Sequence, residues 1–177
     1  RWAGPHRSYP DRSHLRGILS GVDAREECAD EPHAVRLAAW YHDAVYAGQS
    51  DDEENSALLA ESDLTDLGVD PDFVAEVGRL VRVTIAHDPA ADDHNGQVLS
   101  DADLAVLAVP PADYQHNTAR VRAEYGHVSD ADFGLWRGRM IAAMLAGPSL
   151  YRTDAGRRLW EDAARTNLRA ELAALSG

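Results

Sequence analysis

Apolar positions recur three and four residues apart over most of the chain, which is the spacing of amphipathic helices. No run alternates apolar and polar residues for long enough to predict a strand. The segment 33–46 is the most apolar stretch, and Arg36 is its one charged residue before His42. A helix that is apolar around its whole circumference is a buried one. We therefore expect an all-α fold organised around a central helix over residues 33–46, with Trp40 and Tyr41 in the core.

Capping residues, prolines and glycines divide the chain into about eight helices. Ser13 is a favourable N-cap residue, and Pro32 and Pro71 suit first-turn positions of helices. Gly68 suits the end of a helix. The predicted helices cover residues 14–27, 32–46, 51–67, 71–87, 100–109, 113–125, 130–145 and 153–175, after an irregular segment over residues 1–12.

The polar stretch 88–99 has the composition of a loop. Ser100, followed three residues later by Asp103, resembles a capping box at the start of a short helix. The paired prolines at Pro110 end that helix. This interpretation places Asp101 and Asp103 in a first helical turn, where acidic residues are favoured by the helix dipole without any further role.

A length of 177 residues favours a single domain that buries roughly two-thirds of the surface of its unfolded chain. We expect the apolar C-terminal helix 153–175 to pack within the monomer. Cys28 is the single cysteine, which excludes an internal disulfide and fits a reducing compartment. The absence of a long apolar run predicts a soluble protein, and the cytoplasm is the expected location.

The chain is strongly acidic, with 30 acidic residues against 17 basic ones and a formal net charge of −13. All the basic residues are arginine. This balance argues against long nucleic acids and anionic membranes as partners. A small phosphorylated substrate held by a metal ion is compatible with it.

The adjacent His42 and Asp43 are the first candidates for chemistry because they lie in an apolar helical segment. Burying an imidazole beside a carboxylate is unfavourable unless something satisfies both groups, and a metal ion would do so. A second His-Asp pair at His87 shows that the dipeptide alone is not specific. His14 and a later aspartate would complete a set of two nitrogen and two oxygen donors, which suits a divalent cation.

The later aspartate is Asp103 or Asp101. Asp103 is followed by the apolar run LAVLAV and lies deeper in the apolar pattern, so Asp101 is the second choice. Considered without the other candidates, His14 and His33 would each be interpreted as a partly exposed histidine of an ordinary helix. His94 lies in a polar loop, and His6, His116 and His127 lack apolar surroundings, so we expect these four histidines at the surface.

Three motifs resemble the H…HD…D signature of HD-domain metal-dependent phosphohydrolases: HLRGIL from His14, AAWYHDAVY around His42, and DADLAVLA around Asp103. Further segments resemble a bacterial branch of predicted HD phosphohydrolases, namely RSYPDRSH, DDEENSA, TIAH, VRAEYGHV, GRMIAAML and LYRT. The resemblance covers most of the chain. It implies a single HD-type helical domain over residues 1–177.

The resemblance also implies the residues of a metal site, with one or two divalent ions per chain and Mn, Fe, Co, Ni, Zn and Mg all open as its identity. The implied ligands are His14, His42, Asp43 and Asp103, with His87 as an additional group beside them. Arg7 resembles the arginine of the entry motif, and a guanidinium can hold phosphate in a two-point contact. Two departures are Pro10, where the branch has a histidine, and Tyr46, where related nucleotidases carry a glutamate.

The expected activity is hydrolysis of a small phosphoester, such as a nucleotide or related metabolite, with a metal-bound water as the nucleophile. Glu53, Glu54 and His87 are the candidate acid or base groups, and the two glutamates are otherwise solvated acids at a helix start. An alternative is a dinuclear iron oxygenase that cleaves a C–C or C–P bond, for which His87 and His94 would help to hold a second metal. A third is an inactive metal-binding or ligand-binding module.

Overall fold

The computed structural model describes residues 12–49 and 51–175, and every regular element in these ranges is helical. This confirms the prediction of an all-α fold with about eight helices. The α-helices are α1 (Arg12–Asp23), α2 (Pro32–Tyr41), α3 (Asp52–Asp66), α4 (Pro71–Val83), α5 (His94–Leu104), α6 (Pro111–Glu124), α7 (Asp130–Ala146) and α8 (Asp154–Leu175). Two short 3-10 turns, Glu26–Cys28 and Ala105–Ala108, lie between them. Arg7, Pro10 and most of the predicted irregular segment lie outside the described residues.

The first five helices enclose one apolar core. Each contributes fully buried side chains, such as Val22 of α1, Val35 of α2, Leu80 of α4 and Leu99 of α5. The buried positions of α2 are small, with alanines at three of the four, so the helices around it approach it closely. Helix α2 packs against the other four helices of this core, which confirms its central place. The expectation that it is buried around its whole circumference is wrong, because His33 and Trp40 are exposed.

The last three helices enclose a second core, which joins the first through the turn Ala105–Ala108. The Asn167 side chain donates hydrogen bonds to the Leu107 and Val109 carbonyl oxygens, at 2.8 and 2.9 Å, and so ties α8 to this turn. The buried Tyr151 donates its hydroxyl hydrogen to the Leu104 carbonyl oxygen at 3.0 Å. Leu168 of α8 is fully buried, as expected for a C-terminal helix that packs within the monomer.

The longest helix, α8, has 22 residues, which is enough to cross a bilayer, but one face of it is polar and exposed. No helix between Arg12 and Leu175 combines the length and the apolar character needed to span a membrane.

Local signals around Gly68 act as predicted. Gly68 follows α3 with a φ of 72°, a conformation that glycine adopts without strain. The amide of Val69 bonds to the Leu64 carbonyl at 3.1 Å, which closes the helix end. Asp70 then caps α4, because its side chain accepts hydrogen bonds from the Asp72 and Phe73 amides.

The central helix is shorter than predicted, since α2 ends at Tyr41 and not at Tyr46. Beyond Tyr41, backbone amides bond to side chains of α3 and not to carbonyl groups of a continued helix. Ser56 Oγ accepts from the Val45 amide at 3.0 Å. The buried Asp52 carboxylate accepts from the three consecutive amides of residues 47–49. The chain therefore turns at His42, which lies at the C-cap of α2 and not within it.

The predicted loop 88–99 and the predicted capping box at Ser100 are both wrong in part, because α5 already begins at His94. Asp93 is its N-cap and accepts from the Gly96 amide at 2.9 Å. The polar Asn95 belongs to the helix because its side chain accepts from the Glu31 amide and donates to Glu76. These partners are distant in sequence, so composition alone suggested a loop. Asp103 consequently lies in the last turn of α5 and not in a first turn.

The expectation for the two aromatic residues of α2 is half right. Tyr41 packs against the first core, and its hydroxyl donates to Asp63 at 3.3 Å. Trp40 is 48% exposed, so it is not a core residue. Trp40 lies on the face of α2 opposite to the one that packs on the core. The apolar sequence of this helix did not reveal which face would be exposed.

We predict that Gly156→Ala destabilises the fold. A Cβ atom at Gly156 would lie 2.3 Å from the Asp101 Oδ2 atom, which cannot easily shift because it is buried and hydrogen-bonded. We expect the free energy of unfolding in urea to fall by about 1–3 kcal/mol. Gly138→Ala is the matched control, because its Cβ atom would meet Leu172 at 3.7 Å, an ordinary contact. Equal unfolding midpoints for the two variants would contradict this packing.

Candidate metal centre

The fold brings together the four ligands expected from the sequence: His14 of α1, His42 and Asp43 at the end of α2, and Asp103 of α5. We call these four side chains the candidate metal centre. His14 Nε2 lies 3.1 Å from Asp103 Oδ1, and His42 Nε2 lies 3.0 Å from Asp43 Oδ2. The crossed distances are 3.9 Å from His14 to Asp43 and 3.7 Å from His42 to Asp103.

All four side chains are largely withdrawn from solvent. The exposed fraction is 3% for His42, 7% for His14, 15% for Asp103 and 19% for Asp43. Imidazoles and carboxylates at this depth need partners that replace water. Positive charge between the carboxylates and the rings would satisfy these groups.

The His42 ring is oriented by the backbone. Its Nδ1 atom lies 2.9 Å from the Ala39 carbonyl oxygen, which can only accept, so Nδ1 carries a hydrogen. In the neutral ring this leaves the Nε2 lone pair directed at Asp43 and Asp103. Hydrogen bonding of one ring nitrogen to a carbonyl is the usual way to prepare the other nitrogen for a metal.

The charges of the cluster are strongly coupled. Burial alone lowers the pKa of His42, but Asp43 and Asp103 outweigh this effect and raise it to about 9. Burial alone raises the pKa of Asp103, but His42 and the hydrogen bond from His14 outweigh this effect and bring it below its usual range. The two carboxylates thus favour positive charge at this place, and either a proton on His42 or a bound cation would supply it.

Helix ends add to this demand for positive charge. Asp43 directly follows the C-terminus of α2, and Asp103 lies in the last turn of α5. The C-terminal end of a helix carries partial negative charge, so a carboxylate there is unfavourable unless a cation offsets it. Two carboxylates share this unfavourable setting within one cluster.

The donor set fits a divalent metal. One ligand atom each from His14, His42 and Asp43 lies within 4.8 Å of the others. Asp103 adds a fourth ligand atom, since its Oδ1 lies 3.1 Å from His14 Nε2. Two imidazole nitrogens and two carboxylate oxygens suit first-row metals such as Mn, Fe, Co, Ni and Zn. Mg prefers oxygen ligands, so this donor set favours it least.

Asp101, the second choice for the later aspartate, lies elsewhere. Its Oδ1 atom accepts from the Arg152 amide at 2.6 Å. Its Oδ2 atom accepts from both the amide and the hydroxyl of Thr153, at 2.9 and 2.6 Å. Asp101 is thus an anchor for the start of α8, and Asp103 is the aspartate that the structure brings to His14 and His42.

His87 lies beside the cluster, in the turn that follows α4. Its Nε2 atom is 3.5 Å from Asp103 Oδ2, and its Nδ1 atom is 3.2 Å from the Ser100 hydroxyl. Burial lowers the pKa of His87, which keeps the ring neutral at neutral pH. Its φ of 51° is uncommon for a residue other than glycine, and such backbone strain persists only where the surroundings hold it.

Arg152 holds that backbone, and sequence reasoning did not single it out. Its guanidinium donates to the His87 carbonyl oxygen at 3.0 Å and lies 3.0 Å from Asp88. Its own amide is bound by Asp101. The only sequence feature that pointed to Arg152 was the LYRT segment. Its role depends on contacts with residues more than fifty positions away, which a local pattern does not show.

The two glutamates of α3 have different surroundings. Glu54 accepts both hydrogen bonds of a two-point contact from Arg82, which lowers its pKa. Glu53 is half-buried and lies close enough to His87 for its charge to raise the pKa of that ring. The structure therefore brings Glu53 toward the cluster and directs Glu54 to Arg82.

Tyr46 is one of the two departures from the resembled motifs, and its hydroxyl donates to Glu124 of α6 at 2.6 Å. Burial and this hydrogen bond raise the pKa of Tyr46, so its hydroxyl stays protonated. Glu124 was not expected near the site. Glu124 is part of the VRAEYGHV segment. Within that segment, nothing distinguishes it from an ordinary solvent-exposed glutamate of a helix.

The remaining histidines of the described ranges lie at the surface. His94 is exposed, and its Nδ1 atom contacts Asp30 at 3.2 Å. His33, His116 and His127 are also exposed.

Removal of one candidate ligand should abolish metal binding. In the wild-type chain we expect Mn²⁺ or Zn²⁺ at about 100 times its dissociation constant to raise the melting temperature by roughly 5–10 °C. His42→Ala should lose this rise and the stoichiometric metal seen by elemental analysis. His94→Ala removes a surface histidine and should retain both. A metal-dependent shift in His42→Ala as large as in the wild type would rule out the candidate metal centre.

The two aspartates of α5 should separate metal binding from folding. Asp103→Asn should lose the metal-induced rise in melting temperature. Asp101→Asn should retain that rise but lose about 1–3 kcal/mol of unfolding free energy, because an amide cannot accept all three hydrogen bonds made by this carboxylate. The reverse pattern in calorimetry with and without metal would show that Asp101 is the ligand.

No family model, no curated protein and no solved structure matches this chain. The case for the candidate metal centre therefore rests on the geometry of its own side chains.

Proposed function

We propose that the chain is a metal-dependent hydrolase of a small phosphoester. The observation that carries this proposal is the convergence of two imidazoles and two carboxylates, at 3.0–3.9 Å, in a largely buried cluster. The resemblance of the HLRGIL, AAWYHDAVY and DADLAVLA motifs to HD-domain phosphohydrolases supports it, because the residues of those motifs are the ones that converge.

The proposed chemistry combines one metal function with several functions of the chain. A divalent metal supplies Lewis acidity, which lowers the pKa of a water and offsets negative charge on a phosphoryl oxygen. His14, His42, Asp43 and Asp103 would hold it. The Ala39 carbonyl keeps the His42 ring in the orientation that this role needs.

His87 is the proposed proton carrier. A neutral imidazole can accept a proton, and the Nε2 atom of His87 lies on the Asp103 side of the cluster. Ser100 and Arg152 fix the ring and the backbone of this residue. Glu53 is the second candidate for proton transfer, whereas the contact of Glu54 with Arg82 favours a structural role.

The acidic chain needs a local source of positive charge for a phosphorylated substrate. A metal in the cluster provides it, and Arg7 is proposed as an additional phosphate ligand through its two-point geometry. The net charge of −13 disfavours long nucleic acids as substrates. A cytoplasmic location is proposed because the single Cys28 is exposed and unpaired with any other cysteine.

One observation favours the oxidative alternative as a second candidate. His87 lies 3.5 Å from Asp103 and would be available to a second metal. His94, the other histidine considered for that purpose, contacts Asp30 at the surface instead. Two irons per chain together with consumption of O₂ would favour the oxygenase over the hydrolase.

The proposal predicts metal-dependent turnover in a panel of phosphate monoesters and nucleotides, measured as released phosphate. His42→Ala should reduce kcat/KM by more than about 100-fold, since even outer groups around a metal are worth 10–100-fold. His94→Ala should retain the wild-type rate. If the metal-loaded chain hydrolyses no member of the panel, the inactive binding module is the better description.

A further inference from the structure

A cleft of about 200 Å³ opens beside the candidate metal centre. It lies between α1, the turn Ala105–Ala108 and α6, and His14 and Asp103 form part of its wall. A molecule bound in this cleft would therefore touch two of the four candidate ligands.

The other walls of the cleft are mostly apolar and uncharged. Ile18, Val106 and Val109 line it, of which Ile18 is 1% exposed and the two valines are half-buried. Asn117 of α6 contributes a neutral carboxamide. Among the described lining residues, His14 and Asp103 are the ones that can carry charge, and both belong to the candidate metal centre.

Gly17 lines the cleft on the α1 side. A Cβ atom placed there would meet no heavy atom within 4 Å outside its own helix backbone. Glycine in a helix interior is unfavourable by about 1 kcal/mol relative to alanine, so its presence needs a reason. Here the missing side chain leaves room for a ligand one turn from His14.

We propose that this cleft binds the alcohol portion of the substrate, and that this portion is an uncharged ring system of modest size. The inference rests on the proposed function, because it assumes that a phosphoryl group binds at the candidate metal centre. Among the described lining residues, a charged alcohol portion would gain no ionic partner beyond His14 and Asp103 themselves, while it would lose hydration. A volume near 200 Å³ lies below the usual range for drug-sized ligands, which favours one ring system.

Two phosphonates test the inference without any turnover. Phenylphosphonate carries a ring and methylphosphonate does not, and their stable P–C bonds prevent hydrolysis of the group. In titration calorimetry with the metal-loaded full chain, phenylphosphonate should bind at least about tenfold more tightly, because burial of apolar groups in a pocket is worth that much. In NMR spectra of the metal-loaded chain, only phenylphosphonate should shift the Gly17 amide and the Asn117 carboxamide signals.

Gly17→Leu should remove the preference for the ring. The leucine side chain would fill the cleft, so phenylphosphonate should bind no better than methylphosphonate, whose affinity should stay at the wild-type value. Gly134→Leu is the matched control, because Gly134 is also helical and its nearest outside atom is 3.9 Å away, on Leu175. That variant should keep the full preference for phenylphosphonate.

The outcomes separate this inference from the proposed function. Equal affinity of the two phosphonates in the wild type, with metal-dependent binding of both, would overturn the cleft assignment and leave the hydrolase proposal standing. An equal loss of both ligands in Gly17→Leu would also overturn it, because the effect would then arise at the metal. Failure of both phosphonates to bind in a metal-dependent manner would count against the proposed function itself.

Discussion

Two carboxylates held at the negative ends of two helices are the constraint on which this structure depends. Asp43 follows the C-terminus of α2, and Asp103 lies in the last turn of α5. Neither setting favours an anion, and each carboxylate is more than four-fifths buried. The imidazoles of His14 and His42 can offset these charges only as cations or as ligands of a cation. The convergence of α1, α2 and α5 is thus an electrostatic arrangement as much as an apolar one.

The surrounding chain is built to keep these groups in place. Asp52 and Ser56 of α3 bind the backbone that follows His42, so the turn after α2 has fixed partners. Asp101 binds the start of α8, and Arg152 next to it binds the backbone of His87. The C-terminal helices therefore support the cluster from outside, although they contribute none of its four side chains.

The sequence predicts much of this because many of its signals are local. The glycine, aspartate and proline at positions 68, 70 and 71 end one helix and begin the next through contacts within a few residues. The predicted end of α2 was wrong because the backbone amides that follow Tyr41 bond to Asp52 and Ser56, which belong to another helix. The roles of Arg152 and Glu124 likewise depend on contacts that no local pattern contains.

The aspartate-alanine-aspartate motif of α5 shows how one short segment serves both the core and the cluster. Residues two positions apart project about 200° apart around a helix, so Asp101 faces α8 while Asp103 faces α1 and α2. Ala102 between them packs against Gly21 of α1, where an added Cβ atom would lie 3.1 Å from the alanine Cβ. Gly21 is seven residues from His14 and so lies on the same face of α1. The close approach that these two small residues allow is what brings the His14 ring within 3.1 Å of Asp103.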